Sequence, residues 1–143
     1  MDYCDHRLRV RYAETDQMGV AYHANHLVWF EIGRTEYCRQ RGFAYEAMER
    51  ETGSYMVVAE VYCRYRRPLR YDQEFVVRTR IRQLRKRTLT FAYQILDAQD
   101  GSMLAEGETK HVVTGRDGRP RSFPAQYLHF LEGSGQGGGG DRC

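Results

Sequence analysis

Apolar and polar side chains alternate from His6 to Tyr12, with Leu8, Val10 and Tyr12 on one side and Arg7, Arg9 and Arg11 on the other. A period of two is that of a strand with one buried face. The alternation stops at AETDQMGVAY, a loop in which Gly19 can take unusual backbone angles. HANHLVWFEIGRTEYCRQRG then predicts one long helix, with Gly42 as its stop. Leu27, Val28, Trp29, Phe30 and Ile32 wrap nearly all round its first half, which predicts an enclosed helix. Residues 44–52 predict a short second helix.

From Ser54 the period returns to two, and strands are predicted over 54–65, 74–84, 88–98 and 102–114. Phe75, Val77, Thr79 and Ile81 oppose Val76, Arg78, Arg80 and Arg82, and the short Arg85-Lys86-Arg87 joint predicts an antiparallel hairpin. Asp100-Gly101 and Asp117-Gly118 supply turns, and Pro124 suits the first position of a final short apolar helix. GSGQGGGG has the composition of a flexible linker. The expected organisation is one domain over 1–132 and a Gly-rich tail over 133–143. Strand, long helix, short helix and four further strands make an α+β fold, most economically a five-stranded antiparallel sheet wrapped around the long helix. Such a sheet has open edges and one incompletely covered face, so at least a dimer is expected.

At 143 residues and 41% hydrophobic composition the chain suits one folded domain. No run reaches the roughly 18 to 20 apolar residues of a membrane helix, and the N-terminus lacks a basic-then-apolar leader, so a soluble, cytoplasmic protein is expected. Cys4, Cys38, Cys63 and Cys143 are scattered without a CxxC pair, which predicts reduced, structural thiols and no zinc site. The net charge of +3 is modest, but arginines concentrate between Arg64 and Arg87. A guanidinium fork suits phosphate, whether of nucleic acid, lipid or a phosphorylated small molecule.

Asp16 lies in the loop between the first strand and the long helix, where a carboxylate can face a cleft unpaired. The helix start near His23 presents unsatisfied N–H groups and a positive dipole end toward the same loop, an arrangement able to hold a developing oxyanion. That pairing of parts is an acyl-transfer geometry. The commoner alternative is an acidic residue that merely caps a turn. His23 and His26 have HxxH spacing, but no HExxH pattern accompanies them and no metal is expected. Arg78, Arg80 and Arg82 form a stripe without the stacking aromatics of an RNA-binding sheet, so no nucleic acid is expected.

Arg11 to Glu36, RYAETDQMGVAYHANHLVWFEIGRTE, closely resembles the signature of YbgC-type acyl-CoA thioesterases in the 4-hydroxybenzoyl-CoA thioesterase family. The order of elements through about residue 128 is similar to that family's hotdog fold. The resemblance implies hydrolysis of an acyl-CoA thioester; no cofactor is expected, and the open sheet edge makes a homodimer or homotetramer the expected assembly. The resemblance assigns Asp16 as the catalytic carboxylate, His23 and Tyr12 as supporting residues, and the backbone at His23 or its neighbour as the group that polarises the carbonyl. By the same resemblance Arg85, Lys86 and Arg87 lie near the CoA phosphates. A related hotdog group uses a helix glutamate, which makes Glu31 the alternative carboxylate. Alternatives at the level of function are an acyl-carrier-protein thioesterase, a dehydratase using His26 with Glu31, and a non-catalytic acyl-CoA-binding module.

Overall fold

A computed structural model describes residues 2–132. The elements run β1 (Cys4–Arg9), a 3₁₀ turn (Tyr12–Glu14), α1 (Asn25–Gln40), α2 (Tyr45–Thr52), β2 (Tyr55–Tyr65), β3 (Glu74–Leu84), β4 (Thr88–Asp97), β5 (Met103–Thr114) and α3 (Ala125–Glu132). The Gly-rich tail expected over 133–143 falls outside the described residues.

The strands form one five-stranded antiparallel sheet in the order β1-β3-β4-β5-β2. Consecutive hairpins make the β3-β4-β5 centre, while the segment after β2 carries the chain across to β3, leaving β1 and β2 as the edges. Alternation decides which face meets the helix: Phe75, Val77 and Thr79 of β3 are fully buried, as are Phe91 and Tyr93 of β4. Trp29, Phe30 and Tyr37 of α1 pack onto this face, with Phe30 stacked on Tyr93 at a centroid distance of 4.3 Å. Gly33 lets the helix come closest, because a Cβ there would lie 2.5 Å from Thr79 Oγ1 and 2.8 Å from Val77 Cγ1. At the carboxyl end of α1, Phe43 meets Phe123, Tyr127 and Phe130 and so docks α3.

Three expectations need correction. Tyr12 does not continue the first strand: β1 ends at Arg9, and the Arg11 N–H is taken by the Glu14 carboxylate at 2.8 Å, which turns the chain and leaves Tyr12 78% exposed. The long helix is not enclosed, since the sheet covers one flank and Leu27 and Val28 stay 37% and 45% exposed on the other. Free thiols are found at Cys38 and Cys63, but Cys4 is disulfide-bonded; spacing carries no information on pairing. Among the described residues no helix is long and apolar enough to cross a membrane.

Candidate active site

The loop that carries Asp16 is held by a buried glutamate. Glu14 accepts the indole N–H of Trp29 at 3.1 Å through its carboxylate, and its carbonyl accepts from the side-chain amide of Asn25 and the backbone of Tyr22, both at 2.8 Å. These bonds tie the loop to the first turn of α1. Beyond Glu14 the chain doubles back in a narrow hairpin-like turn, with Thr15 bridged to Ala21 and the Asp16 N–H donated to Val20 O. Gly19 closes it at φ 78°, a left-handed conformation that favours glycine. One carboxylate oxygen of Asp16 accepts the Met18 N–H at 2.8 Å. The other has no partner among the described residues and remains available.

The start of α1 is left open in a similar way. Ala24 in the capping position has no side-chain acceptor. The N–H groups of Asn25, His26 and Leu27 bond back to the carbonyls of Tyr22, His23 and Ala24, whereas those of His23 and Ala24 have no partner among the described residues. Two unused donors and the positive end of a 16-residue helix thus stand beside the Asp16 loop.

A cleft of about 370 Å³ brings Asp16, His23 and His26 together with Tyr65, Arg66 and Arg67 from the end of β2 and the segment after it. His26 is 4% exposed, and its ring lies between Trp29 and Tyr65 at 4.8 and 4.7 Å. Burial pulls its pKa down to about 4, so the ring is neutral at pH 7. Its Nδ1 stands 3.1 Å from His23 O, a pure acceptor, so Nδ1 carries the proton and Nε2 is left as an acceptor. Tyr65 Oη donates to the same carbonyl at 3.0 Å and joins the edge strand to the helix start.

Other residues named from the sequence lie elsewhere. Tyr12 does not line the cleft; its ring meets Tyr71 edge-on at 5.7 Å. Glu31 is exposed on the β2-facing flank of α1 and lines a separate groove, so it does not share a cavity with His26. Arg85, Lys86 and Arg87 cap the β3-β4 hairpin. Because Arg9 pairs with Glu74 at the start of β3, that tip is at the opposite end of the sheet, about 30 Å away along the strand. Arg66 and Arg67 are the cations that line the cleft, and neither was expected there. They were visible as a basic pair before Pro68, but their return beneath the Asp16 loop depends on β2 being an edge strand. A larger hollow of about 560 Å³ on the outer face of the sheet is lined by Arg78 and Glu108. There Arg78 is paired with Asp5 at 2.8 Å and Glu108 with Arg82 at 3.3 Å.

Residues 10–131 match the model of the thioesterase-like superfamily. Over 122 residues the chain is 33% identical to the acyl-CoA thioester hydrolase YbgC of Escherichia coli O6:H1, an alignment covering 85% of this chain and 90% of that protein. A hypothetical protein of Aquifex aeolicus superposes with a TM-score of 0.82 at 35% identity, covering 89% of this chain and 98% of that one. DHNA-CoA thioesterase of Staphylococcus aureus superposes with a TM-score of 0.86 at 27% identity, covering 92% and 90% respectively. Sequence and fold agree that this chain belongs to the thioesterase-like superfamily of hotdog-fold thioester hydrolases.

Proposed function

We propose that this protein hydrolyses acyl-CoA thioesters, releasing a carboxylic acid and free CoA, with Asp16 as the catalytic carboxylate. The observation that carries the reading is the juxtaposition, in one cleft, of an Asp16 oxygen without a partner and a helix start with unused N–H groups. A thioester carbonyl placed against His23 N–H gains its hydrogen bond as negative charge builds on oxygen, so the donor acts chiefly in the transition state. Asp16 then either attacks the carbonyl carbon, forming an anhydride that water opens, or takes a proton from the attacking water. Both routes expel CoA as the thiolate, and both require the negative charge of Asp16. His23 supports from the helix start. Tyr12, being exposed beside Tyr71, has a place in this scheme only if the bound ligand extends to it.

Arg85, Lys86 and Arg87 are proposed to bind the CoA phosphates of a neighbouring protomer's site. Within one chain they are about 30 Å from the Asp16 end. Two copies joined at their β2 edges by a two-fold axis run antiparallel there, which brings the partner's tip to the Asp16 end. The homodimer is therefore the functional unit of this reading.

Thiol release measured across a panel of aliphatic and aromatic acyl-CoAs tests the proposal. At least one should turn over at a rate that Asp16→Asn abolishes. Tight binding of acyl-CoA with no thiol released from any of them would make the protein a binding module instead. Enoyl product without free thiol from a 3-hydroxyacyl-CoA would make it a dehydratase.

A further inference from the structure

Next to the Asp16 cleft, on the flank of α1 that the sheet leaves bare, a groove of about 220 Å³ runs between helix and edge strand. Leu27, Val28, Val58 and Val61 supply apolar walls, and Arg34 and Thr109 give it a polar end. The groove follows directly on the cleft, since His26 and Tyr65 of the cleft precede and follow its residues on α1 and β2. Arg34 is the unusual member. It is half-buried, it forms no ion pair among the described residues, and its side chain makes a single hydrogen bond, to Tyr93 Oη at 3.4 Å. A guanidinium has five N–H donors, so most of its capacity is unspent.

What stands behind Arg34 is uncharged and oriented. Tyr93 Oη lies 2.6 Å from Thr109 Oγ1, which lies 2.8 Å from His111 Nε2. Burial pulls the His111 pKa down to about 4 and pushes that of Tyr93 up, so at pH 7 the imidazole adds no second positive charge and the phenol supplies no counter-charge. With Tyr93 accepting from Arg34, the remaining protons order themselves from Tyr93 to Thr109 to His111, which fixes the guanidinium by one edge. Glu31, one turn earlier on the rim of the groove, does not pair with it. A fixed cation without a counterion at the end of an apolar groove is complementary to a carboxylate.

We propose that this groove receives the acyl group and that Arg34 selects acyl groups ending in a carboxylate, making short dicarboxylic acyl thioesters the preferred substrates. The inference rests on the thioesterase reading above. Arg34 lies about 13 Å along the helix axis from Asn25, and because helical side chains lean toward the helix start, about 8 Å would separate the guanidinium from a thioester carbonyl held there. That span suits an acyl chain of about five or six carbons.

Paired CoA thioesters of equal length test this: glutaryl against valeryl, and adipoyl against hexanoyl. The wild-type protein should favour the carboxylate-bearing member by about tenfold or more in kcat/KM. Arg34→Met should invert the ratio, and Arg34→Lys should retain part of the preference. Wild-type preference for valeryl and hexanoyl thioesters overturns the proposal, as does an Arg34→Met ratio equal to the wild type. Should Arg34→Met fail to fold, calorimetric titration of Asp16→Asn protein with the glutaryl and valeryl thioesters reads the same preference as a difference in Kd, and equal affinities count against Arg34. Absence of thiol release from every thioester would instead strike the catalytic reading, which keeps the two failures distinct.

Discussion

Asp16 is exposed, turned by the Met18 N–H and left with a free oxygen, and that economy of partners is what makes a sharp test possible. Asp16→Asn keeps the volume and the acceptor for Met18 but removes the charge. Thiol release should fall about a hundredfold or more, with little change in the Kd for acyl-CoA. Glu31→Gln is the companion measurement: a large loss there with a mild loss at Asp16 would move the reaction to the helix flank. A second prediction concerns His26 and His111, both held near pKa 4 by burial against about 6.5 in an unfolded chain. Between those values the unfolded state binds more protons, so the contribution to stability is complete above pH 6.5 and is lost as pH falls toward 4. Each imidazole should add a slope of up to roughly 1.4 kcal/mol per pH unit in that window. Denaturant midpoints should be level above pH 7 and drop below it, and His111→Gln should remove about half of the drop; a midpoint unchanged down to pH 4.5 would contradict the assignment. At this scale the sequence makes Asp16 and His23 legible because their neighbours in the chain are also their neighbours in space. Arg66, Arg67 and Tyr65 join them only through the return of a distant strand, and no local pattern announces that.

The helices and strands themselves are legible almost to their ends, because burial on one face writes a period into each segment. The strands expected over 74–84 and 88–98 form as Glu74–Leu84 and Thr88–Asp97, and the helix expected from His23 starts at Asn25. What periodicity does not encode is the order of strands. The segment 66–73 between β2 and β3 does not advertise that it crosses the sheet, and the edge position of β2 follows from that crossing alone. Tyr12 shows a different limit, since alternation continues past the point where the buried Glu14 carboxylate ends the strand. Packing between elements is equally silent in sequence, and Gly33 is the clearest case. Gly33→Ala gains up to about 1 kcal/mol of helix propensity but presses a methyl group into Thr79 and Val77, a clash of about 1–3 kcal/mol or more. The variant should be less stable by urea titration. Thr79→Ala in the same protein should recover part of the loss, because it removes the nearer obstruction, a buried hydroxyl without a partner, while Val77 Cγ1 stays in place. Additive losses in the double variant would show that the helix does not bear on the strand at this point.

At the scale of the molecule, the two edges of the sheet differ in kind. β1 is 6 residues long and carries Arg7 and Arg9 in ion pairs with Glu74, the features that discourage further pairing. β2 is 11 residues long, and Val57, Val58, Val61, Tyr62 and Tyr65 along it are 42 to 51% exposed, next to the bare Leu27 and Val28 of α1. A second copy paired along β2 would cover that edge and close the groove beside α1 without filling it, so the protein should sediment as a dimer or a pair of dimers, and Val61→Arg should yield monomers. In such a dimer the same symmetry would govern the site. If each Asp16 cleft draws its phosphate-binding cations from the tip of the other protomer, about three strand spacings or 14 Å to the side, the two halves of a site can be inactivated on different chains. Asp16→Asn protomers have intact tips and no carboxylate, while Arg85→Ala/Arg87→Ala protomers have the carboxylate and no tip. The second variant alone should show a raised KM for acyl-CoA with kcat little changed, since remote phosphate contacts act mainly in binding. Unfolding and refolding the two variants together should produce mixed dimers in which one site combines the intact Asp16 of one chain with the intact tip of the other. Turnover at low acyl-CoA concentration should then rise well above that of either parent, toward half the wild-type value per mixed dimer. A mixture no more active than the average of its parents would place the tip in its own protomer's site or outside the reaction altogether.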